Sequence, residues 1–108
     1  MALYRFKSRE TGDLVMTSTH GQRLLEILGK DPSAPGIVLP EQMPGAIDAI
    51  RQAIAAEEAE QQRLREEAAA RGEAPPGFDP VSLRMRSLPF IDMLQRCQKA
   101  GVEIVWGV

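Results

Sequence analysis

The chain contains one cysteine, Cys97, and one histidine, His20. A lone cysteine excludes an intrachain disulfide framework and suits a reducing compartment. Its place in an apolar helical stretch points to a buried, inert thiol. A lone histidine with no Cys/His/Asp cluster around it argues against a metal centre. With no Gly-x-Ser-x-Gly turn, nothing in the spacing assembles a serine–histidine pair around it. Aromatics are scarce: one Trp, one Tyr and three Phe, 5% of residues, without the aromatic-plus-basic signature of a nucleic-acid binder. No window approaches ~18 consecutive apolar residues, so no membrane span is expected. The opening Met-Ala-Leu-Tyr-Arg-Phe-Lys-Ser lacks the charged segment and apolar run of a signal peptide. Together these absences predict a cytoplasmic protein with no cofactor and no metal.

Neither charge sign dominates: the formal net charge is −2. The distribution is uneven, however. Residues 1–30 carry five basic and three acidic side chains and residues 80–108 carry four and two, whereas residues 31–79 carry four and ten. An acidic middle between mildly basic ends disfavours nucleic acid as a partner. At 108 residues, 44% of them hydrophobic, the chain predicts a single domain over 1–108 able to bury a core without a metal or disulfide.

The richest apolar stretch runs from Asp79 to Val108: a helix, then a strand. Asp79 fits an N-cap and Pro80 the first helical position. Gly101 supplies a helix stop, and Val102, Ile104, Trp106 and Val108 alternate as one face of a strand. Pro89 interrupts the helix, and proline inside a helix costs ~3 kcal/mol. The pattern therefore predicts a strong kink, or two elements with Ser87 capping the second. Leu88, Ile91, Leu94 and Cys97, three apart, read as its buried side. Upstream, Tyr4 and Phe6 alternate in a strand over Leu3–Ser8, and Arg9–Asp13 reads as a hairpin loop into a strand over Leu14–Thr17. Thr19 and Gln22 match a capping box for a helix from about His20 to Leu28, burying Leu24, Leu28 and one of Leu25 or Ile27. Lys30–Gly36 is a loop. Ile37–Leu39 is a link across the core or an extra edge strand. Pro40–Met43 forms a tight turn before a helix from Pro44 with an apolar stripe at Met43, Ile47, Ile50 and Ile54. From Glu57 the stripe fades, so 57–78 reads as a polar helical extension, with pairs such as Glu67–Arg71, and a flexible loop around Pro75-Pro76. The order β-β-α-α-α-β predicts an α+β fold: a three-stranded sheet, made of the N-terminal hairpin plus the C-terminal strand, packed against about three helices.

Motifs carrying chemistry are few. Gly29-Lys30 fails as a phosphate loop, because Leu24 stands where a glycine is required and Asp31 where Ser or Thr is. The carboxylates between Glu57 and Glu67 lack the spacing and turn glycine of a calcium loop. The one candidate ligand-binding set is cationic. Arg84 and Arg86 flank Met85, Lys7 and Arg5 occupy the exposed face of the first strand, and if Lys7, Arg84 and Arg86 meet they can hold an anion. No catalytic residue is nominated.

Several blocks carry a family resemblance: Met1–Ser8 with Gly12–Met16, Ile27–Lys30, Pro40–Met43, Val81–Arg86, Pro89 through Leu94, and Val105–Val108. In this order they resemble a small bacterial family, domain of unknown function 1840. The resemblance implies a small cytoplasmic protein and brings no activity, cofactor or catalytic residue with it. Where that family often has Gln between the two arginines this chain has Met85, which weakens a polar role there. The functional expectation is a non-enzymatic binding, regulatory or protein-interaction module, self-associating or with a protein partner. The alternative is a small anionic-ligand-binding protein or enzyme that uses Lys7, Arg84 and Arg86.

Overall fold

A computed structural model describes residues 3–77 and 82–107. Strand β1 (Leu3–Lys7) and strand β2 (Leu14–Thr17) form an antiparallel hairpin in which Tyr4 faces Met16 and Phe6 faces Leu14. Helix α1 (Ser18–Ile27) follows β2 directly, then strand β3 (Gly36–Val38) and a 3₁₀ turn (Pro40–Gln42). Helix α2 (Met43–Ala70), helix α3 (Leu83–Ala100) and strand β4 (Ile104–Trp106) complete the chain. The sheet order is β2-β1-β4-β3, with every neighbour antiparallel. The fold is α+β as the pattern predicts, with four strands rather than three: Ile37–Leu39, open between two readings in the sequence, contributes the edge strand β3. Phe6, Val38, Ile104 and Trp106, all buried, point from the sheet into the core beneath the helices. Leu3, Arg5 and Lys7 alternate to the opposite face, as do Val15 and Ile37, which are 45% and 40% exposed.

The helices depart from expectation in instructive ways. Thr17 is both the last strand residue and the N-cap of α1, and it makes no side-chain cap bond. The helix thus starts before Thr19, and the Thr19–Gln22 capping box has no helix end to cap. Leu24 and Leu25 are buried, whereas Ile27 and Leu28 are half-buried. Gly29, at φ +74°, ends α1: its N–H bonds to Glu26 O and that of Lys30 to Leu25 O, the paired bonds of a glycine-closed helix end. Ahead of α2, Gln42 Oε1 accepts from the Leu39 N–H at 3.0 Å and tightens the 3₁₀ turn.

Helix α3 is continuous through Pro89, so neither the second element nor a Ser87 cap is present. Proline removes the bond to the Met85 carbonyl, and Met85 and Pro89 both lie on the exposed side of the helix. Ser82 is the N-cap, its hydroxyl accepting from the Met85 N–H at 3.2 Å. The caps expected at Asp79 and Pro80, together with Val81 and Val108, lie outside the described residues. Leu88 is 51% exposed, contrary to its expected burial. At 3.6 residues per turn, the nine residues from Leu88 to Cys97 make two and a half turns, placing the two on opposite sides. The buried seam instead runs Leu83, Ser87, Phe90, Leu94, Cys97, spacings of four and three that hold one face. The α2 stripe likewise continues at four-three spacing beyond Ile54. Glu57, Gln61 and Leu64 are half-buried and Ala68 is buried.

Glu57 and Glu58 are where the polar part of α2 joins the fold. Glu57 Oε1 accepts from Arg23 of α1 at 3.1 Å, and its Oε2 accepts from the Leu83 N–H, the first of α3, at 3.1 Å. Glu58 takes a two-pronged bond from Arg84, at 2.9 and 2.8 Å, which holds its carboxyl below the usual range. Beyond this level α2 overhangs to Ala70, its ion pairs joining Arg63 to Glu60 and Glu67, while Arg71 pairs with Glu73 rather than with Glu67. The radius of gyration, 16.0 Å, exceeds the ~13 Å of a compact domain this long. The length of α2, 28 residues or about 42 Å at 1.5 Å per residue, accounts for the difference.

Candidate functional site

Strand β1 pairs with β2 along Leu3–Phe6 but with β4 only at Phe6 and Lys7. Its first three residues therefore have an edge with no strand beside it. Strand β4 stops at Trp106 because Gly107, at φ +74°, turns the chain off the strand line; a Cβ at Gly107 would come within 2.8 Å of the Pro35 backbone. What remains is a slot of about 690 Å³ between β1, the 32–35 segment that leads into β3, and the start of α1. Its volume lies in the range of small-molecule sites.

Each wall has a local cause. The Tyr4 ring lies over Gly21 so closely that a Cβ there would be 2.5 Å away, and the Tyr4 hydroxyl reaches across to donate to the Pro32 carbonyl. The 31–35 turn is shaped by Asp31, whose carboxylate accepts from the Ser33 N–H at 2.9 Å and from the Ser33 hydroxyl at 2.6 Å. The hydroxyl bond first, then the amide, lowers the Asp31 carboxyl below its ordinary range. Pro32 and Pro35 give this wall two positions without an N–H. Trp106 closes the inner end, packed on Gly36 where a Cβ would be 2.3 Å from Cζ2. The indole is 1% exposed and its Nε1–H has no acceptor among the described residues.

The charge of the slot is one-sided. Arg5 and Lys7 line it, with Ser18, Gln22 and Ser33 as polar neighbours, and no carboxylate is among its described lining residues. Arg5 has Asp13 at 3.7 Å on the outer face, both side chains about half exposed. Ser18 opens α1, whose first turn has neither a side-chain cap nor an acidic residue, so the positive end of the helix dipole adds to the two cations.

The three residues singled out in the sequence are not gathered here. Lys7 lines the slot. Arg84, bonded to Glu58, lines a recess between α2 and α3 with Arg51, Ile54, Leu88 and Ile91. Arg86 lies with His20, Arg23, Glu57 and Ser82 in a crevice of about 50 Å³. What joins Lys7 is Arg5, two residues away on the same strand face, and Trp106. Trp106 carried no functional signal in the sequence beyond its solitude and the glycines its ring and strand end require. Cys97 is fully buried, its Sγ 2.9 Å from the Ser8 hydroxyl. Among the described residues no three His, Cys, Asp or Glu side chains come together as a metal site. No helix among them is long and apolar enough to cross a membrane.

No curated protein and no solved structure matches this chain. A family model does match, over residues 2–106 and thus nearly the whole length: the chain belongs to the family Domain of unknown function (DUF1840).

Proposed function

We propose that this protein is a non-enzymatic binding module that holds a small anionic ligand in the slot between β1 and the 32–35 segment. The observation that carries this reading is a concavity that collects Arg5 and Lys7 with no carboxylate among its described lining residues. The groups assembled are those that hold an anion: a guanidinium, an ammonium, hydroxyls and an uncapped helix start.

The test is thermal denaturation of the pure protein against a panel of phosphate- and carboxylate-bearing metabolites. A ligand at a hundred times its Kd stabilises the folded state by ~2.7 kcal/mol. The expected result is a dose-dependent rise in Tm that disappears in Arg5→Ala and in Lys7→Ala and persists in Arg84→Ala. A rise abolished by Arg84→Ala and untouched by the other two would move the site to the α2–α3 recess.

A further inference from the structure

We propose that the open face of the sheet is a self-association surface, on which a second copy of this chain docks face to face about a two-fold axis. All three helices contribute to the core that covers the side of Phe6, Val38, Ile104 and Trp106. No described element covers the other side, where Leu3 is 61%, Val15 45% and Ile37 40% exposed. The register sets its residues in rows. Ile37, half-buried Val105 and Lys7 stand side by side across β3, β4 and β1, while Val15 stands beside Arg5 and Thr17 beside Leu3. An exposed apolar surface with polar residues around it is the mark of an interaction site.

The charges of the face identify the occupant. Arg5 has Asp13 at 3.7 Å and Arg9 has Glu103 at 3.8 Å, and each of these side chains is at least 41% exposed. Both pairs are long and open to water, so their members are available to exchange partners. A strongly acidic partner meets Asp13 and Glu103, and a strongly basic one meets Arg5, Lys7 and Arg9. A copy of the same face presents each charge with its opposite, and a two-fold contact requires a patch complementary to itself in this way. Size sets the strength. Four strands, the longest of five residues, outline roughly 300 Å² at ~4.8 Å between strands and ~3.4 Å per residue. That is below the ~800 Å² per partner of a standard interface, so the dimer belongs with transient, concentration-dependent associations. Val15, Ile37 and Val105 do not line the slot, so the proposal stands apart from the anion-binding reading.

Sedimentation of the wild-type protein from about 1 µM to about 1 mM, the span of transient affinities, should show the average mass climbing from one chain to two and no further. Val15→Lys and Ile37→Lys each put an ammonium into the contact from both copies, and each should weaken association at least tenfold with Tm close to wild type. Leu88→Lys alters an equally exposed apolar residue, on α3, and should leave association unchanged. If either sheet variant folds poorly, amide shifts of the wild type between dilute and concentrated samples decide instead: shifts at Val15, Ile37 and Val105 support the proposal, and shifts confined to the helices overturn it. A monomer at every concentration, a mass that grows past two chains, or association lost in Leu88→Lys and kept in both sheet variants would also overturn it.

Discussion

Replacing Glu57 by alanine should destabilise the protein by about 2 kcal/mol, far more than a glutamate in a polar helical run is expected to contribute. The figure follows from its two bonds. Oε2 accepts from the Leu83 N–H at 3.1 Å, so a carboxylate from α2 serves the first donor of α3, which has no partner within its own helix. Helix-capping bonds are worth ~1 kcal/mol and bonds to charged groups ~1.5–3. Oε1 accepts from Arg23 at 3.1 Å, with Glu57 only 20% exposed and Arg23 49%, an ion pair at the upper end of the ~0.2–1 kcal/mol range for surface pairs. Alanine returns a few tenths through its helix propensity. The assay is urea unfolding followed by far-UV circular dichroism, with thermal melts beside it, where ~2 kcal/mol corresponds to roughly 8 °C in a domain this size. Glu57→Gln keeps an acceptor for Leu83 and gives up the charge, and should lose about 1 kcal/mol. A Glu57→Ala protein within ~0.5 kcal/mol of wild type would show that the start of α3 is not anchored from α2 and refute the reasoning.

Three further outcomes follow from the same structure. Ser87 is fully buried in the α3 seam, and its hydroxyl has no partner among the described residues, so Ser87→Ala should raise stability by roughly 1 kcal/mol, read as a higher urea midpoint at unchanged m; a loss of stability would contradict it. Gly36→Ala places a Cβ 2.3 Å from Trp106 Cζ2, and forcing that ring aside should cost ~1–3 kcal/mol and shift Trp106 emission; an unchanged spectrum and midpoint would mean the wall yields freely. Arg84, chiefly through its hydrogen bonds, holds the Glu58 carboxyl below its ordinary range. A depressed carboxyl contributes stability above its unfolded pKa and loses it as pH falls through the folded one, so the acid decline of Tm should be shallower in Glu58→Gln than in wild type, and identical profiles would deny the linkage.

What the sequence made legible is what a single element dictates. Tyr4 and Phe6 alternate because one face of β1 is core, and Met43, Ile47, Ile50 and Ile54 recur at four-three spacing because one face of α2 is. The failures lie where a second element decides. Leu88 and Cys97 stand in steps of three, which drift around a helix, whereas the buried seam includes Ser87, a polar residue that hydropathy discards. Thr19 and Gln22 had the chemistry of a cap but not the position, since β2 runs straight into α1. Glu57 looked like one carboxylate in a solvated run; only the docking of α3 beside it supplies the Leu83 N–H. The slot was least legible of all. It exists because β4 stops short of the end of β1, and strand order and register across the whole chain are needed to see that. Of the cations proposed from sequence, Lys7 belongs to it, while Arg84 and Arg86 serve other recesses.

The central claim is that an anion binds in the slot beside Arg5 and Lys7, and one nuclear magnetic resonance titration addresses it directly. A single tryptophan gives a single indole N–H signal in an amide-correlation spectrum. On addition of inorganic phosphate the account predicts shifts at the backbone amides of Arg5, Lys7 and Ser18, with the indole signal of Trp106, which lines the same slot, moving in step. Shifts confined to residues outside the slot, or no response at any residue, would contradict it.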